Sequence, residues 1–152
     1  MTNDSNQAKL GRAGETLVLN WYSAQNMRVK ASVDQYDSHK DAEIDGKSTE
    51  IKTQVPFVYK DSFTIKTNQL QKCQNVDQLI FVSVPNGKEK HHSEGKVYCI
   101  FPSDGLEYNK YITKDGREMI LIPIKQKGMQ EIFKMTETEK KTLQRYSVSS
   151  WN

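Results

Sequence analysis

The sequence predicts an α/β domain, and three observations lead to that reading. Leu10, Leu17, Val18, Trp21 and Tyr22 recur at helical spacing within residues 4–25. Asp45-Gly46 is a strong signal of a two-residue hairpin, because a type I′ turn needs positive φ at both central positions. Leu79-Ile80-Phe81-Val82-Ser83-Val84 is the most apolar run and the best candidate for a central buried strand. At 152 residues the chain is long enough for one modest core, so a single domain over 1–152 is expected.

Hydrophobic residues make up 36% of the chain and the mean hydropathy is −0.77, values of a soluble protein with a large polar surface. No run of 18 apolar residues exists, so no membrane span is expected. Residues 1–7 lack a basic and an apolar segment, so no signal peptide is expected and the protein is read as cytoplasmic. Cys73 and Cys99 are isolated, which fits reduced, buried thiols better than a disulfide framework; their pairing stays open at this level. The net charge of +3 permits nucleic-acid binding without demanding it, and a polyanion would be met by local patches.

In chain order, Asp4 or Ser5 caps the first helix. Gly11 and Gly14 cost it about 1 kcal/mol each against Ala and let another backbone or a DNA strand come close. Glu15 sits at the edge of the apolar stripe and reads as a boundary glutamate or as a third carboxylate for a site nearby. Arg12 is a phosphate-contact candidate. Residues 28–34 alternate weakly as a first strand, and 35–40 form a polar loop. Pro56 ends or edges the strand after the hairpin. Phe57 to Tyr59 and Phe63 to Ile65 read as a further strand or an interrupted pair. Thr67 or Asn68 caps a short helix through Cys73. Residues 85–96 are a polar loop in which Lys88 and Lys90 are a second group of DNA contacts. His91 and His92 have no Cys, Asp or Glu at metal spacing, so zinc is not expected there. Residues 97–101 and 119–124 read as strands around a turn-rich stretch with Asp115-Gly116. A helix is expected from about Met129, and a second one capped by Thr136 or Thr138 through Leu143. Trp151 is expected to pack on this subunit or a neighbour.

The hairpin carries the chemistry. With Asp45-Gly46 as its turn, Ile44 faces Lys47, Glu43 faces Ser48, Ala42 faces Thr49 and Asp41 faces Glu50. Like charges placed opposite each other are destabilising, so two facing carboxylates point to a cation between them. Period-2 alternation puts Glu50, Lys52 and Gln54 on the face of Asp41 and turns Ala42, Ile44, Ile51, Thr53 and Val55 toward a core. Two carboxylates suit a hard divalent cation such as Mg²⁺, which polarises a phosphoryl oxygen and acidifies a bound water. Lys52 then orients the attacking water and stabilises charge on the phosphate. Asp34 or Asp37 would replace Asp41 if the register were different; Asp41 is preferred because only it faces Glu50.

Asp41 followed by Glu50-Ile51-Lys52 resembles the PD-(D/E)XK motif of the restriction-endonuclease-like nuclease superfamily. Gln54 extends it to Glu-x-Lys-x-Gln. Gly11-Arg12-Ala13-Gly14-Glu15 resembles the first helix of many members, where a glutamate completes the metal site. The Pro of the family's Pro-Asp pair is missing, since His39-Lys40 precede Asp41. The resemblance covers residues 11–84. It implies a mixed sheet flanked by helices, a catalytic core over about 4–84, and DNA-contacting and oligomerisation elements over about 85–152. It also implies catalytic Glu15, Asp41, Glu50, Lys52 and Gln54, with metal held at Glu15, Asp41, Glu50 and Ile51, and Mg²⁺ cleavage with Mn²⁺ as a substitute. The expected function is site-specific double-strand DNA cleavage of homing or restriction type, with a Holliday-junction resolvase-like nuclease as the alternative. A non-catalytic DNA-binding module is the rival from another class. One active site per chain and two strands per duplex predict a homo-oligomer, a dimer or dimer of dimers. Residues 97–124 are read as a sequence-reading ribbon, with Lys110, Lys114 and Arg117 the leading contacts.

Overall fold

A computed structural model describes residues 5–32, 41–86 and 90–149. Asp34, Asp37, Lys88 and Trp151 lie outside the described residues, and with them the alternative ligands and the packing expected of the terminal tryptophan.

The architecture is mixed α/β, with a mixed sheet flanked by helices. Its elements are α1 (Asn6–Ala24), β1 (Val29–Ala31), β2 (Ala42–Ile44), β3 (Lys47–Gln54), β4 (Ser62–Lys66), α2 (Leu70–Asn75), β5 (Gln78–Ser83), β6 (Lys96–Ile100), β7 (Asn109–Ile112), β8 (Glu118–Pro123), β9 (Gln130–Lys134) and α3 (Glu137–Ser149). The main sheet runs β1-β2-β3-β5-β6-β9, and a second sheet runs β4-β8-β7. Among the described residues, β3 and β5 alone pair in parallel, and the other strand pairings are antiparallel.

The hairpin forms as its turn residues dictate. Asp45 and Gly46 have φ of 49° and 79°, and the register is Ala42↔Thr49, Glu43↔Ser48, Ile44↔Lys47. Asp45 also fastens β1, accepting from the Arg28 N–H at 2.8 Å through its side chain. Ser48 and Asp77 clasp the start of β3 to the start of β5, since the Ser48 N–H donates to Asp77 Oδ2 at 2.9 Å and the Asp77 N–H to Ser48 Oγ at 2.8 Å. All six side chains of β5 are buried, as the apolar run predicted for a central strand.

Two apolar layers cover the main sheet. On one face Ile44, Ile51, Ile80 and Val82 pack with Leu10, Leu17 and Val18 of α1 and Leu143 of α3. On the other, Leu79, Phe81, Tyr98 and Ile100 pack with Phe63, Ile65, Ile120 and Ile122 of the second sheet and with Cys73 of α2. Phe63 stacks on Phe81 at 4.3 Å between ring centroids, joining the sheets at their centre. Cys73 and Cys99 are both buried and free, as expected. Ser5 caps α1 by accepting from the Ala8 N–H at 3.1 Å. Thr136 and Glu139 cap α3 reciprocally, backbone to side chain, at 3.1 and 2.8 Å.

Three expectations are corrected. Residues 130–134 form a strand rather than a helix: Ile132 and Phe133 suit an edge position beside β6, and the Thr136 cap leaves no room for a helix before it. Val58–Lys60 is a 3-10 turn rather than a strand, ending at Asp61 in the left-handed region with φ 50°. Residues 97–124 are not one ribbon, because β6 belongs to the main sheet while β7 and β8 pair in the second. Separately, the apolar side of α3 packs on α1 of the same chain.

Candidate active site

Glu50 and Lys52 point to the face that carries the second sheet, at the end of β3 where α2 covers it. Asp41 precedes β2, and its N–H donates to the Thr49 carbonyl at 2.9 Å, continuing the hairpin ladder. Its Oδ2 turns back to accept from the Ile51 N–H at 2.9 Å. The carboxylate is therefore fixed beside Glu50, close enough to raise its pKa. Glu50 is 1% exposed. The expected polar face is thus convergent, but at its centre it is buried rather than open to water.

A residue that the hairpin argument did not reach completes the cluster. Lys72 of α2 places Nζ 3.0 Å from Glu50 Oε2 and 3.9 Å from Asp41 Oδ1. The short helix was legible from its cap, but its role was not, because Lys72 follows Glu50 by 22 residues and arrives through the crossover between β3 and β5. Despite that ion pair, Glu50 Oε2 is buried without a hydrogen bond of good geometry. Lys52 is oriented by Gln69, whose Oε1 accepts from Nζ at 2.9 Å.

Glu15 reaches this cluster from α1. Its position follows from Gly14, which lies so close to Thr53 that a Cβ there would overlap the threonine side chain. The helix therefore sits hard against β3, one residue before Glu15. Burial first, and Asp41 second, raise the Glu15 carboxyl from 4.5 to about 7 against the opposing charges of Lys72, Arg12 and Lys52. Burial, then the hydrogen bond and charge of Asp41, raise Glu50 to about 8. Burial would lower Lys72, but its close pairing with Glu50 and the charge of Asp41 outweigh that and raise it.

Not every predicted residue joins the cluster. Ile51 packs in the core at 5% exposure, so only its main chain can contribute to a site. Gln54 is occupied between the sheets: its Oε1 accepts from the Thr64 N–H and its Nε2 donates to the Thr64 carbonyl, both at 2.7 Å. Arg12 is exposed on α1 and acts electrostatically on Glu15. Lys90, Lys110 and Lys114 are exposed. Arg117 is 78% exposed and pairs through Nε with Asp115 at 3.0 Å. The β7–β8 turn that carries Lys114 and Arg117 projects from the end of the second sheet next to Thr67, whose hydroxyl donates to the Glu118 carbonyl at 3.4 Å. Gln69, the partner of Lys52, belongs to the same 3-10 turn as Thr67.

A second polar cluster was not anticipated. Asp61, His91 and His92 bring ligand-type atoms within 4.8 Å of one another. Sequence spacing gave no signal for it, because Asp61 is 30 residues from His91.

No family model matches the chain, and no curated protein matches its sequence. Among the described residues, no helix is long and apolar enough to cross a membrane.

The donor set of the first cluster fits a hard divalent cation. Glu15, Asp41 and Glu50 supply carboxylate oxygens, and Glu50 Oε2, buried without a hydrogen bond, has only the Lys72 ammonium at 3.0 Å against it, a contact that a divalent cation could replace.

Proposed function

We propose that the chain is a metal-dependent DNA endonuclease with a PD-(D/E)XK-type site on a restriction-endonuclease-like core. The observation that carries this reading is the convergence of Asp41, Glu50 and Glu15 with Lys52 and Lys72 at one end of β3, with the Glu50 carboxylate buried and incompletely satisfied. Burying Glu50 beside two half-buried carboxylates is costly unless cations compensate them. Lys72 compensates part of that charge in the metal-free chain.

Glu15, Asp41 and Glu50 would hold Mg²⁺, or Mn²⁺ in its place, and the ion would supply Lewis-acid polarisation of the phosphodiester. Lys52, held by Gln69, positions a cationic donor for the attacking water and for charge developing on the phosphate oxygens. Asp41, locked by the Ile51 N–H, keeps its remaining oxygen directed at the site. The face beyond the cluster offers Lys114 and Arg117 on the β7–β8 turn for phosphates or base edges of duplex DNA. Cutting both strands at one locus is most simply done by two copies of the chain.

The same cluster could be a structural ion-pair network in a non-catalytic DNA-binding module, a reading favoured by the 3.0 Å contact between Lys72 and Glu50. Incubating the purified protein with randomised duplex and branched DNA, with and without Mg²⁺, and sequencing the ends separates the readings. Defined Mg²⁺-dependent ends on duplex DNA support the endonuclease. Ends confined to branch points favour the resolvase-like alternative, and binding without new ends favours the non-catalytic module.

A further inference from the structure

Asp61, His91 and His92 have no part in the nuclease reading, and they lie away from the carboxylate cluster. Asp61 closes the 3-10 turn before β4 with φ 50°, a left-handed conformation that Asp tolerates better than most side chains. Its Oδ1 lies 2.8 Å from His91 Nε2 and 2.5 Å from His92 Nε2. Two imidazole nitrogens from the β5–β6 connection therefore meet one carboxylate oxygen from a loop some thirty residues earlier. The rings lie 4.2 Å apart between centroids.

The back of the site is built. His91 Nδ1 is 2.7 Å from the hydroxyl of Ser93, which is fully buried and is itself 2.7 Å from the hydroxyl of Ser83 on β5. With Nδ1 held by this pair, the ring turns Nε2 toward Asp61. Nδ1 also accepts from the Ser93 backbone N–H at 3.2 Å, so Nε2 carries the ring proton toward Asp61, and an ion binding there would displace that proton. Metal-binding histidines are characteristically oriented through the other ring nitrogen in this way. His92 is 40% exposed, which leaves the site accessible to solvent ions. Lys125, 3.9 Å from Asp61 Oδ2, is 75% exposed and can swing out.

We infer that Asp61, His91 and His92 form a binding site for a first-row divalent transition metal, Zn²⁺ or its neighbours Co²⁺ and Ni²⁺. Two imidazoles and one carboxylate select such ions over Mg²⁺ and Ca²⁺, which prefer all-oxygen ligands. Tetrahedral ligands at 2.0–2.1 Å from an ion are about 3.3 Å apart, so the present 2.5–2.8 Å separations must open slightly. Three protein ligands leave a fourth position for water. The ion clips the β5–β6 connection to the loop before β4, at the end of β5 remote from Glu50.

Calorimetric titration of the untagged, chelator-treated full chain with Zn²⁺ tests this. One saturable site per chain is expected, with a melting temperature raised by about 5–10 °C at free Zn²⁺ a hundredfold above the dissociation constant. Asp41→Asn/Glu50→Gln removes the other possible Zn²⁺ site and should keep this one. His92→Ala, at a half-exposed position, should keep the fold by circular dichroism and bind at least tenfold more weakly. Asp61→Asn, which also tolerates the left-handed backbone, should do the same. Zn²⁺ binding unchanged in both His92→Ala and Asp61→Asn, or binding lost only in Asp41→Asn/Glu50→Gln, overturns the proposal. So does the absence of saturable binding in the unmodified chain.

Discussion

Glu50 and Gln54 lie four residues apart on β3, about 13 Å along the strand, and the polar groups near these two positions are built in opposite ways. Near Glu50, three carboxylates and two lysines are drawn together around one buried carboxyl, with one oxygen held only by an ion pair and two carboxyls raised toward neutrality. Near Gln54, the amide has both ends occupied by Thr64, and the adjoining Ser83–Ser93–His91 chain is continuously hydrogen-bonded. Desolvated charge without full compensation is a costly arrangement that folding alone does not favour, whereas a satisfied network holds a structure together. The difference marks the first region as the candidate site and the second as a fastening between the sheets.

The largest effect that could break this contrast is on catalysis. Lys52→Ala or Glu50→Gln should reduce Mg²⁺-dependent cleavage by about 10²–10⁴-fold in single-turnover assays, with circular dichroism showing the parent fold in both. Near-parental cleavage by either variant would remove the catalytic assignment. Gln54→Ala should behave the other way. It leaves the Thr64 N–H and carbonyl without their partner, so it should cost about 1–3 kcal/mol in urea denaturation, with a smaller loss of cleavage rate.

Packing at the catalytic end is sharpened by Gly14→Ala. The added Cβ overlaps Thr53, so α1 must move off β3 and carry Glu15 with it. A destabilisation of about 1–3 kcal/mol is expected, together with weaker Mg²⁺ binding. Thr53→Ala should restore part of both. Unchanged stability in the single variant would mean that α1 sits farther from the sheet.

The raised carboxyls predict a pH dependence with a definite sign. Glu15 and Glu50 are raised on folding, so their stabilising contribution is fully present below about 4.5 and is lost as pH rises through about 7 and 8. The metal-free chain should therefore melt at progressively lower temperature between pH 4.5 and 8. Mg²⁺ should flatten that slope, because it favours the ionised forms. A metal-free melting temperature that climbs over the same interval would contradict the burial of these groups. Lys72→Met should lower metal-free stability and tighten Mg²⁺ binding several-fold, since the ammonium and the ion compete for Glu50.

The smallest effect concerns the exposed turn. Lys114→Ala with Arg117→Ala should leave stability within about 0.5 kcal/mol, because the Arg117–Asp115 pair is solvent-exposed. The slope of log affinity against log salt should become shallower by about one per lost phosphate contact. An unchanged slope and unchanged site preference would move the DNA-contacting surface elsewhere.

What the sequence made legible follows the range of the interactions. The Asp45-Gly46 turn imposed the hairpin register, and the register brought Asp41 to Glu50, because both effects act within about ten residues. Ser5, Thr136 and the buried β5 run were legible for the same local reason. Lys72, Gln69 and the pairing of Asp61 with His91 and His92 depend on the crossover and on the second sheet, and no local pattern encodes those. Residues 130–134 were misread because Ile132-Phe133 alone does not distinguish a short helix from an edge strand; the decision belongs to the open edge of β6. The burial of Glu50 was hidden for a similar reason, since alternation names a face without saying what covers it.

The parallel pairing of β3 with β5 also sets an order in time. The β2–β3 hairpin closes over a two-residue turn and can form within microseconds. Glu50 meets Leu79 only after the intervening chain has looped back, a non-local closure that is entropically slower. Asp41 and Glu50 are therefore neighbours while still hydrated, and they lose their water when α2 and β5 dock. Substitutions in the Asp45-Gly46 turn should slow folding, whereas those at Lys72 should chiefly speed unfolding. The carboxylate cluster is therefore completed only when the non-local pairing of β3 with β5 closes.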